Sequence, residues 1–595
     1  MREFTTPAVV EPPTTGSLSD PVWANASSHP DSAVFSRRSG TGWTDVTAAQ
    51  FRDQVAAVAK GLIAAGVEHG DRVALLSPTR YEWTVVDYAI WSIGAATVPI
   101  YETSSESQIQ WILTDSEAVV AVVENAKHAE AVQKARPEAP ALQEVWQIES
   151  GALDELAALG SDVTDTELAK RRAAVTPADL ATLIYTSGTT GRPKGCKLTH
   201  ANFLSELTTA VKVLDKLFVL DGSSTLLFLP LAHVFARIIQ VGCVMMRVRL
   251  GHTSDVKNLV ADLGEFKPTF ILSVPRVFEK VFNTASQTAH AGGKGKIFDA
   301  AAETAISYSR ALASGRVGLG LRSRHAAYDR LVYRKLRAVL GGRASYAVSG
   351  GAPLGERLGH FFRGIGVPVL EGYGLTETTA ALAVNLPGDL RIGTVGKPLP
   401  GVTVAVADDG ELLFKGGQVM AGYWRNDEAT AAAIDADGWF HTGDLGEFDD
   451  DGFVRITGRK KEILVTAGGK NVAPAVLEDR IRLHPLVSQC MVVGDGKPFI
   501  AALVTIDPET IGAWAEQHGK KPDIPSLVDD PDLIAEIQTA IDDANSAVSK
   551  AEAIRKFTIL PTDWTQESGE LSLKLSLRRH IVMTNNATDV EALYT

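Results

Sequence analysis

Ala181-Thr-Leu-Ile-Tyr-Thr-Ser-Gly-Thr-Thr-Gly-Arg-Pro-Lys-Gly-Cys-Lys-Leu198 is the stretch around which the chain is organised. Its first five residues are apolar or β-prone and predict a buried strand. A loop of hydroxyls and glycines, Thr186 to Gly191, comes next, followed by Arg192 and Lys194. A helix then starts with Thr199 as N-cap, and Phe203, Leu207, Val211 and Leu214 lie along one face. Glycines let backbone N–H groups turn toward an anion, Ser and Thr add donors, and Lys194 supplies charge without fixed geometry. The stretch reads as a phosphate-holding loop. A flexible surface loop uses the same residue types. The Walker pattern is absent, because it needs four residues between its glycines and then Gly-Lys-Ser/Thr. Here two residues separate Gly188 from Gly191, and Lys194 is followed by Gly195.

Outward from this loop, the chain reads as α/β. Helices are predicted over Thr47 to Ala65 and Tyr81 to Ile93, and strands over Arg72 to Leu76, Ala96 to Ile100 and Ala118 to Val123. Such alternation predicts a doubly wound parallel sheet. At 595 residues the chain is too long for one core and predicts two or more domains. A net charge of −13 argues against a nucleic-acid binder working by bulk charge. Cys196, Cys243 and Cys490 show no paired or metal-type spacing. Met1 to Ser19 lacks the pattern of a signal peptide, and no apolar run is long enough to span a bilayer, so a soluble, cytoplasmic protein is expected. Met1 to Pro30, rich in Pro, Thr and Ser, is expected to lie loosely on the surface.

Beyond the loop, a strand ends at Pro230 and a largely apolar helix follows, with His233 near its start. A single histidine in such a place is more often a core or capping residue than a catalyst. Ala300 to Leu340 is a long helical stretch, and Arg310 to Arg343 holds nine Arg or Lys against one acid, Asp329. That excess fits a solvated helix pair packed on the large domain, which is favoured narrowly, or a surface resting on anionic lipid. Val487 to Val493 and Ile500 to Ile506 read as strands, and Asp532 to Val548 as a helix.

Several motifs follow in order: the loop itself, Ser349-Gly-Gly-Ala-Pro353, Glu371-Gly-Tyr-Gly-Leu-Thr-Glu-Thr378, Trp439-Phe-His-Thr-Gly-Asp444, Gly458-Arg-Lys-Lys461 and Gly468-Gly-Lys-Asn-Val-Ala-Pro474. Together they resemble the adenylate-forming enzymes (acyl-CoA synthetases, peptide-synthetase adenylation domains and luciferases), and most closely the bacterial long-chain fatty-acid–CoA ligases. The resemblance implies a large N-terminal domain, 31–458, with a basic helical insertion at about 296–343. It places a hinge at 459–461 and a small mobile α/β domain over 462–595. ATP, Mg²⁺, CoA and a fatty acid are the implied ligands, and peripheral membrane contact through the insertion is an implied possibility.

Site residues follow from the same resemblance. Thr186, Ser187, Gly188, Thr189, Thr190, Gly191 and Lys194 would hold the β- and γ-phosphates. Gly350, Gly351, Ala352 and Pro353 would approach the adenine, with Glu371, Gly372, Tyr373 and Gly374 beside it. Thr376 would bond the α-phosphate, and Glu377 with Thr186 would bind Mg²⁺. Asp444 would take the ribose hydroxyls, with Arg459 near the ribose and Lys461 at the hinge. Gly468, Gly469 and Lys470 would meet the pantetheine of CoA. His233 would border the acyl pocket, walled by Phe235, Gly242, Cys243 and Met246, with Ser273 to Phe278 as the next pocket-side strand and turn.

One departure stands out. Relatives place an adenylating Lys three residues before an Arg near the C-terminus, but three before Arg579 stands Ser576, and the nearby lysine is Lys574. Leu571, Leu573, Leu575 and Leu577 alternate with polar residues, which predicts a strand with Lys574 and Ser576 on one side. The role therefore goes to Lys574, a solvated edge lysine being the alternative. Two other functions stay open: a fatty acyl-AMP ligase that passes its acyl group to a carrier protein, and a non-catalytic nucleotide- or acyl-binding protein.

Overall fold

The computed structural model describes residues 2–40, 42–186, 192–218, 222–255, 258–566, 568–571 and 577–595. The strand Leu180–Thr186 forms where the apolar run predicts it, with Ala181, Leu183 and Ile184 buried. It belongs to a six-stranded sheet ordered Glu144–Gln147, Val120–Val123, Arg72–Leu76, Ala96–Ile100, Leu180–Thr186, Lys194–Thr199. The first five are parallel and wind outward both ways from Arg72–Leu76, which makes the sheet doubly wound.

Lys194–Thr199 is an antiparallel strand that the sequence reading passed over. Its Cys196 and Leu198 point inward two residues apart, and Thr199 then caps the helix His200–Val213 through a reciprocal bond pair with Asn202.

A second sheet carries the parallel strands Phe270–Ser273, Tyr346–Ser349 and Val369–Tyr373. A third joins Ser224–Leu227, Arg249–His252 and Ala33–Ser39 in parallel. The fourth is antiparallel and runs Arg2–Thr5, Thr403–Val406, Glu411–Lys415, Phe440–Phe448, Val454–Arg459. Residues 2–30 are therefore loose only in part: Arg2–Thr5 and the stretch from Ser17 are anchored, while 6–16 lies on the surface without helix or strand. Phe4 pairs with Val404 and packs on Phe448, while Leu18 and Val22 are fully buried. Proline at the first turn of the helix Asp20–Ser28 suits a helix start, so the Pro-rich composition was compatible with order.

A buried ion pair joins the layers. Arg237, on the helix Val234–Met246, donates to Asp87 of the helix Tyr81–Ser92 and, at 2.6 Å, to the Thr182 hydroxyl of the loop-bearing strand. Both charged side chains are fully buried, and Thr97 adds a third bond to Asp87 at 2.6 Å. Such a pair holds three elements in one arrangement because every polar atom needs its partner.

The basic stretch divides into the helices Gly295–Ala313, Leu319–Tyr328 and Arg334–Val339, joined by a π-helical turn at Asp329–Tyr333. One face is packed: Tyr333 is buried and donates to the Ala301 carbonyl, and Asp329 pairs with Arg337 at 2.7 Å. The other face leaves Leu319 81% and Leu331 60% exposed among Arg316, Arg322, Arg324, Arg330 and Arg334.

C-terminal to the Lys460–Glu462 turn, the strands Val487–Val493, Ile500–Ile506 and Ile554–Leu560 form a separate sheet. The helices Pro474–Ile481 and Pro531–Asn545 cover it, with a core of its own around Leu477, Ile481, Val504 and Leu533. Among the described residues no helix is long and apolar enough to cross a membrane.

Candidate active site

The parallel strands Phe270–Ser273, Tyr346–Ser349 and Val369–Tyr373 put Ser273, Ser349 and Glu371 in register at their carboxyl ends. Ligands of open α/β sheets bind at such ends, and a cavity of ≈ 1770 Å³ opens there. One small-molecule site takes a few hundred to about 1,000 Å³, so this space accommodates two ligands of ordinary size. Gly350, Gly351, Ala352 and Pro353 line it just past the strand end. Gly351 sits at φ +83, which favours glycine, and a Cβ on Gly350 would come within 3.4 Å of both the Gly372 carbonyl and the Phe235 ring.

Strand register builds one corner. Asp444 lies opposite Arg459 in the pairing of Phe440–Phe448 with Val454–Arg459. The Arg459 Nε reaches Asp444 Oδ1 at 3.0 Å, and the Tyr373 hydroxyl donates to Oδ2 at 2.6 Å. Burial raises the Asp444 carboxyl above its usual range, against the pull of the Arg459 guanidinium and the Tyr373 hydroxyl. A carboxylate held by a cation on one side and facing a cavity suits a diol.

A second corner lies at the end of the loop-bearing strand. Ser187, Gly188, Thr189, Thr190 and Gly191 lie outside the described residues. Thr186 and Thr376 line the cavity, and Glu377 stands behind them with Oε1 accepting from the Thr186 hydroxyl at 3.3 Å and the Tyr423 hydroxyl at 2.9 Å. Lys194 extends its ammonium over the Tyr423 ring at 4.3 Å. Arg192 likewise stacks on Trp111 at 4.6 Å, while Trp111 donates to the Pro193 carbonyl at 2.8 Å. These contacts fix the exit of the loop.

Just past Glu377 the backbone is strained, with φ +61 at Thr379 and +135 at Ala380. Thr379 donates to the Gln418 carbonyl at 2.6 Å, and the Ala381 amide donates to Glu206 at 3.0 Å, so two other segments hold the turn. Tyr423 and Glu206 were not among the sequence candidates. Tyr423 carries only a weak signal, an aromatic pair with Trp424 after Gly422.

The cavity continues into an apolar limb. His233 caps the helix Val234–Met246, its Nδ1 accepting from the Phe235 amide at 3.1 Å, and also lines the cavity. Phe235, Ile238 and Ile239 face the limb from that helix, and Leu207, Ala210, Val211 and Leu214 from the helical segment opposite. Of the expected wall residues, Phe235 is in place, but Gly242, Cys243 and Met246 do not line the cavity. Gly242 packs toward Leu207 and Phe218, and Cys243 is fully buried. All three continue the face of Phe235, Ile238 and Ile239 along the helix, past the stretch that opens on the cavity. Val274, Pro275 and Arg276 line the cavity, but in place of the expected strand and turn Ser273 ends a strand and Pro275 opens the helix Pro275–Ala291, with Phe278 buried away from the cavity.

The C-terminal unit closes one side. Arg459 and Lys461 line the cavity, as do Leu571, Leu577, Arg578 and Arg579. Leu571 and Leu577 are antiparallel bridge partners. The expected strand with Lys574 and Ser576 on one side falls on the chain between them. Both residues lie outside the described residues.

Gly468, Gly469 and Lys470 are not at the cavity. They belong to the turn joining Leu464–Val465 to Asn471–Val472, and Lys470 pairs with Glu552 at 3.5 Å. Glu371 lines the cavity and accepts from the Leu354 amide at 3.0 Å. Burial, reinforced by the Glu356 and Asp479 carboxylates, pushes it up to about 7.

Comparison with known proteins supplies the context. The AMP-binding enzyme family matches residues 22–424, and the AMP-binding enzyme C-terminal domain matches 461–595. The chain is 53% identical to the long-chain-fatty-acid–CoA ligase FadD15 of Mycobacterium bovis, with 100% of both chains covered. In fold it is similar to the anthranilate CoA ligase AuaEII in complex with anthranoyl-AMP: TM-score 0.75, 19% identity, 97% of this chain and 99% of that one. It also resembles the O-succinylbenzoate coenzyme A synthetase of Bacillus subtilis in complex with ATP and magnesium ion. There the TM-score is 0.68 at 20% identity, covering 94% of this chain and 98% of that one.

Proposed function

The chain belongs to the AMP-binding enzymes, and we propose that it is a long-chain fatty-acid–CoA ligase. It activates a fatty acid with ATP as the acyl-adenylate, releases pyrophosphate, and transfers the acyl group to CoA. The identity with the mycobacterial ligase over the whole of both chains carries this reading. A polar nucleotide end and an apolar limb in one cavity support it.

The chain's own groups account for the chemistry. The Gly350–Gly351 turn admits the adenine, and Tyr373, Asp444 and Arg459 hold the ribose. The apolar limb takes the acyl tail and leaves its carboxylate at the junction near Thr186, Thr376 and His233. That places the carboxylate oxygen for attack on the α-phosphorus, an advantage of position and not of covalent catalysis.

The oxygen donors at Glu377, Thr186 and Tyr423 fit Mg²⁺, which is commonly held by one carboxylate together with substrate phosphates. Among the described residues no group of three or more His, Cys, Asp or Glu could hold a metal, so the substrate must supply part of the shell. When bound, the ion neutralises phosphate charge. Lys194 adds a second cation to that corner.

Residues 462–595 form the small domain, and Lys461 is its pivot. Rotation there would carry Gly468, Gly469 and Lys470 to the cavity for the CoA step. Their position away from it and the leucines at its wall fit the adenylating arrangement. Lys461→Pro fixes φ at the pivot, so adenylation should persist while thioester formation is lost. Equal loss of both would reject the pivot. Lys574 remains the adenylating lysine of this reading: Lys574→Ala should abolish adenylate formation and spare transfer from supplied acyl-adenylate.

The exposed Leu319 and Leu331 among arginines support contact of the insertion with anionic membranes. Vesicle binding that falls with salt and with Arg330→Glu would bear this out. The decisive test of function is incubation of the purified protein with ATP, CoA and palmitate. Palmitoyl-CoA with AMP is expected. Adenylate without thioester would indicate a carrier-protein acceptor, and absence of pyrophosphate a binding protein.

A further inference from the structure

Glu206 is out of keeping with its surroundings. It lies on the helix His200–Val213 at the same cavity wall as Leu207, Ala210 and Val211, the spacing of one helical face. Ala380, Ala381 and Val384 also line the cavity. Only 2% of Glu206 is exposed. Its Oε1 accepts from the Ala381 amide at 3.0 Å. Its Oε2 is buried and has no hydrogen-bond partner among the described residues. Burial holds the carboxyl well above its usual range. With Oε1 already accepting, Oε2 is a buried polar atom without a partner, a costly state.

We propose that Glu206 is a specificity-determining residue whose Oε2 shares a hydrogen bond with a hydroxyl carried partway along the acyl chain. The proposal rests on the reading of the apolar limb as the acyl site. A plain alkyl chain leaves Oε2 unpaired, whereas a hydroxylated chain pairs it. A site built to bond a substrate oxygen discriminates strongly against the analogue that lacks it. The reading point is local. Ala381 lies four residues past Glu377, at the nucleotide end, and Leu214 lies eight residues beyond Glu206, about 12 Å along the helix at ~1.5 Å per residue. The favoured oxygen therefore belongs to the carboxyl-side half of a long chain. A purely structural Glu206, securing the Ala381 turn, would treat all fatty acids alike.

The test is kcat/KM for pyrophosphate release with palmitate and a positional series of monohydroxypalmitates. Ratios to palmitate within one preparation cancel any difference in folded fraction. The wild type should show a peak at a hydroxyl position in the carboxyl-side half. Glu206→Met should lower that peak ratio about tenfold, equivalent to about 1.4 kcal/mol. Glu206→Gln keeps an acceptor for the Ala381 amide and a polar group in place of Oε2, and should retain most of the peak. A flat wild-type profile, or a peak that survives Glu206→Met, would overturn the proposal while leaving the acyl limb intact. Failure of every long-chain acid, palmitate included, would overturn the acyl limb itself and the proposal with it.

Discussion

At the nucleotide end of the cavity, Tyr373, Asp444 and Arg459 meet because strand register sets Asp444 opposite Arg459 and turns both toward the end of Val369–Tyr373. At the apolar end, Leu207, Ala210 and Val211 meet Phe235, Ile238 and Ile239 because two helices present matching faces across a gap. The first end depends on single hydrogen bonds with fixed partners, so removing one group leaves another unpaired. The second distributes its effect over many methyl and methylene contacts, each small. Damage should therefore be steep at one end and graded at the other.

Arg237 joins the two ends, and its loss should be the most severe. Arg237→Met would leave Asp87 charged or desolvated in the core, at a cost of about 3–5 kcal/mol in stability. Denaturant unfolding of this variant and of the Arg237→Met/Asp87→Leu double variant checks it. The double variant should recover much of the loss, and equal stability of the two would contradict the account.

At the nucleotide end, Glu377→Ala should lower palmitate-dependent ATP–pyrophosphate exchange by about two to three orders of magnitude, on the scale of losing a preorganised charge-stabilising group. Its melting temperature should stay near that of the wild type, since the partners left behind are the hydroxyls of Thr186 and Tyr423. Near-normal exchange at limiting Mg²⁺ would remove Glu377 from the metal corner.

Glu371 gives a smaller effect with a defined sign. Burial raises its carboxyl from 4.5 to about 7 in the folded chain. The folded state thus holds a proton that the unfolded state releases first. The stabilisation is complete below the unfolded value and is lost as pH rises through 7. Glu371→Gln stays neutral throughout. It should match the wild type at pH 4 and exceed it above pH 7, by up to about 2 kcal/mol after allowance for partial exposure to the cavity. Thermal unfolding across that range checks this, and a pH-independent difference would contradict it.

The same contrast explains what the sequence disclosed. Arg72–Leu76, Ala96–Ile100, Val487–Val493 and Ile500–Ile506 form as their patterns predict, because buried strands write continuous apolar runs. The nucleotide-end residues sit in contiguous motifs, and the structure brings Tyr373, Asp444 and Arg459 together. The apolar limb was legible only in part. Phe235 faces it, but Cys243 and Met246 do not, because periodicity gives a face without naming what that face meets. Glu206, Arg237 and Tyr423 escaped notice because a polar residue on an apolar helix or in a loop shows no partner until the chain folds. Arg2–Thr5 escaped because its pairing strand lies some four hundred positions away, at Thr403–Val406.

The central claim is that the apolar limb receives the acyl tail while the nucleotide end activates the carboxylate. ATP–pyrophosphate exchange across saturated acids from four to eighteen carbons, in the wild type and in Ala210→Trp, tests it most directly. Each buried methylene contributes about 0.8 kcal/mol, so wild-type kcat/KM should climb about fourfold per methylene until the limb is filled. Ala210→Trp, which projects an indole into the limb, should shift the optimum to shorter acids and lower the ratio for the longest by at least about tenfold. A wild-type profile flat in chain length, or one that Ala210→Trp leaves unmoved, would contradict the claim.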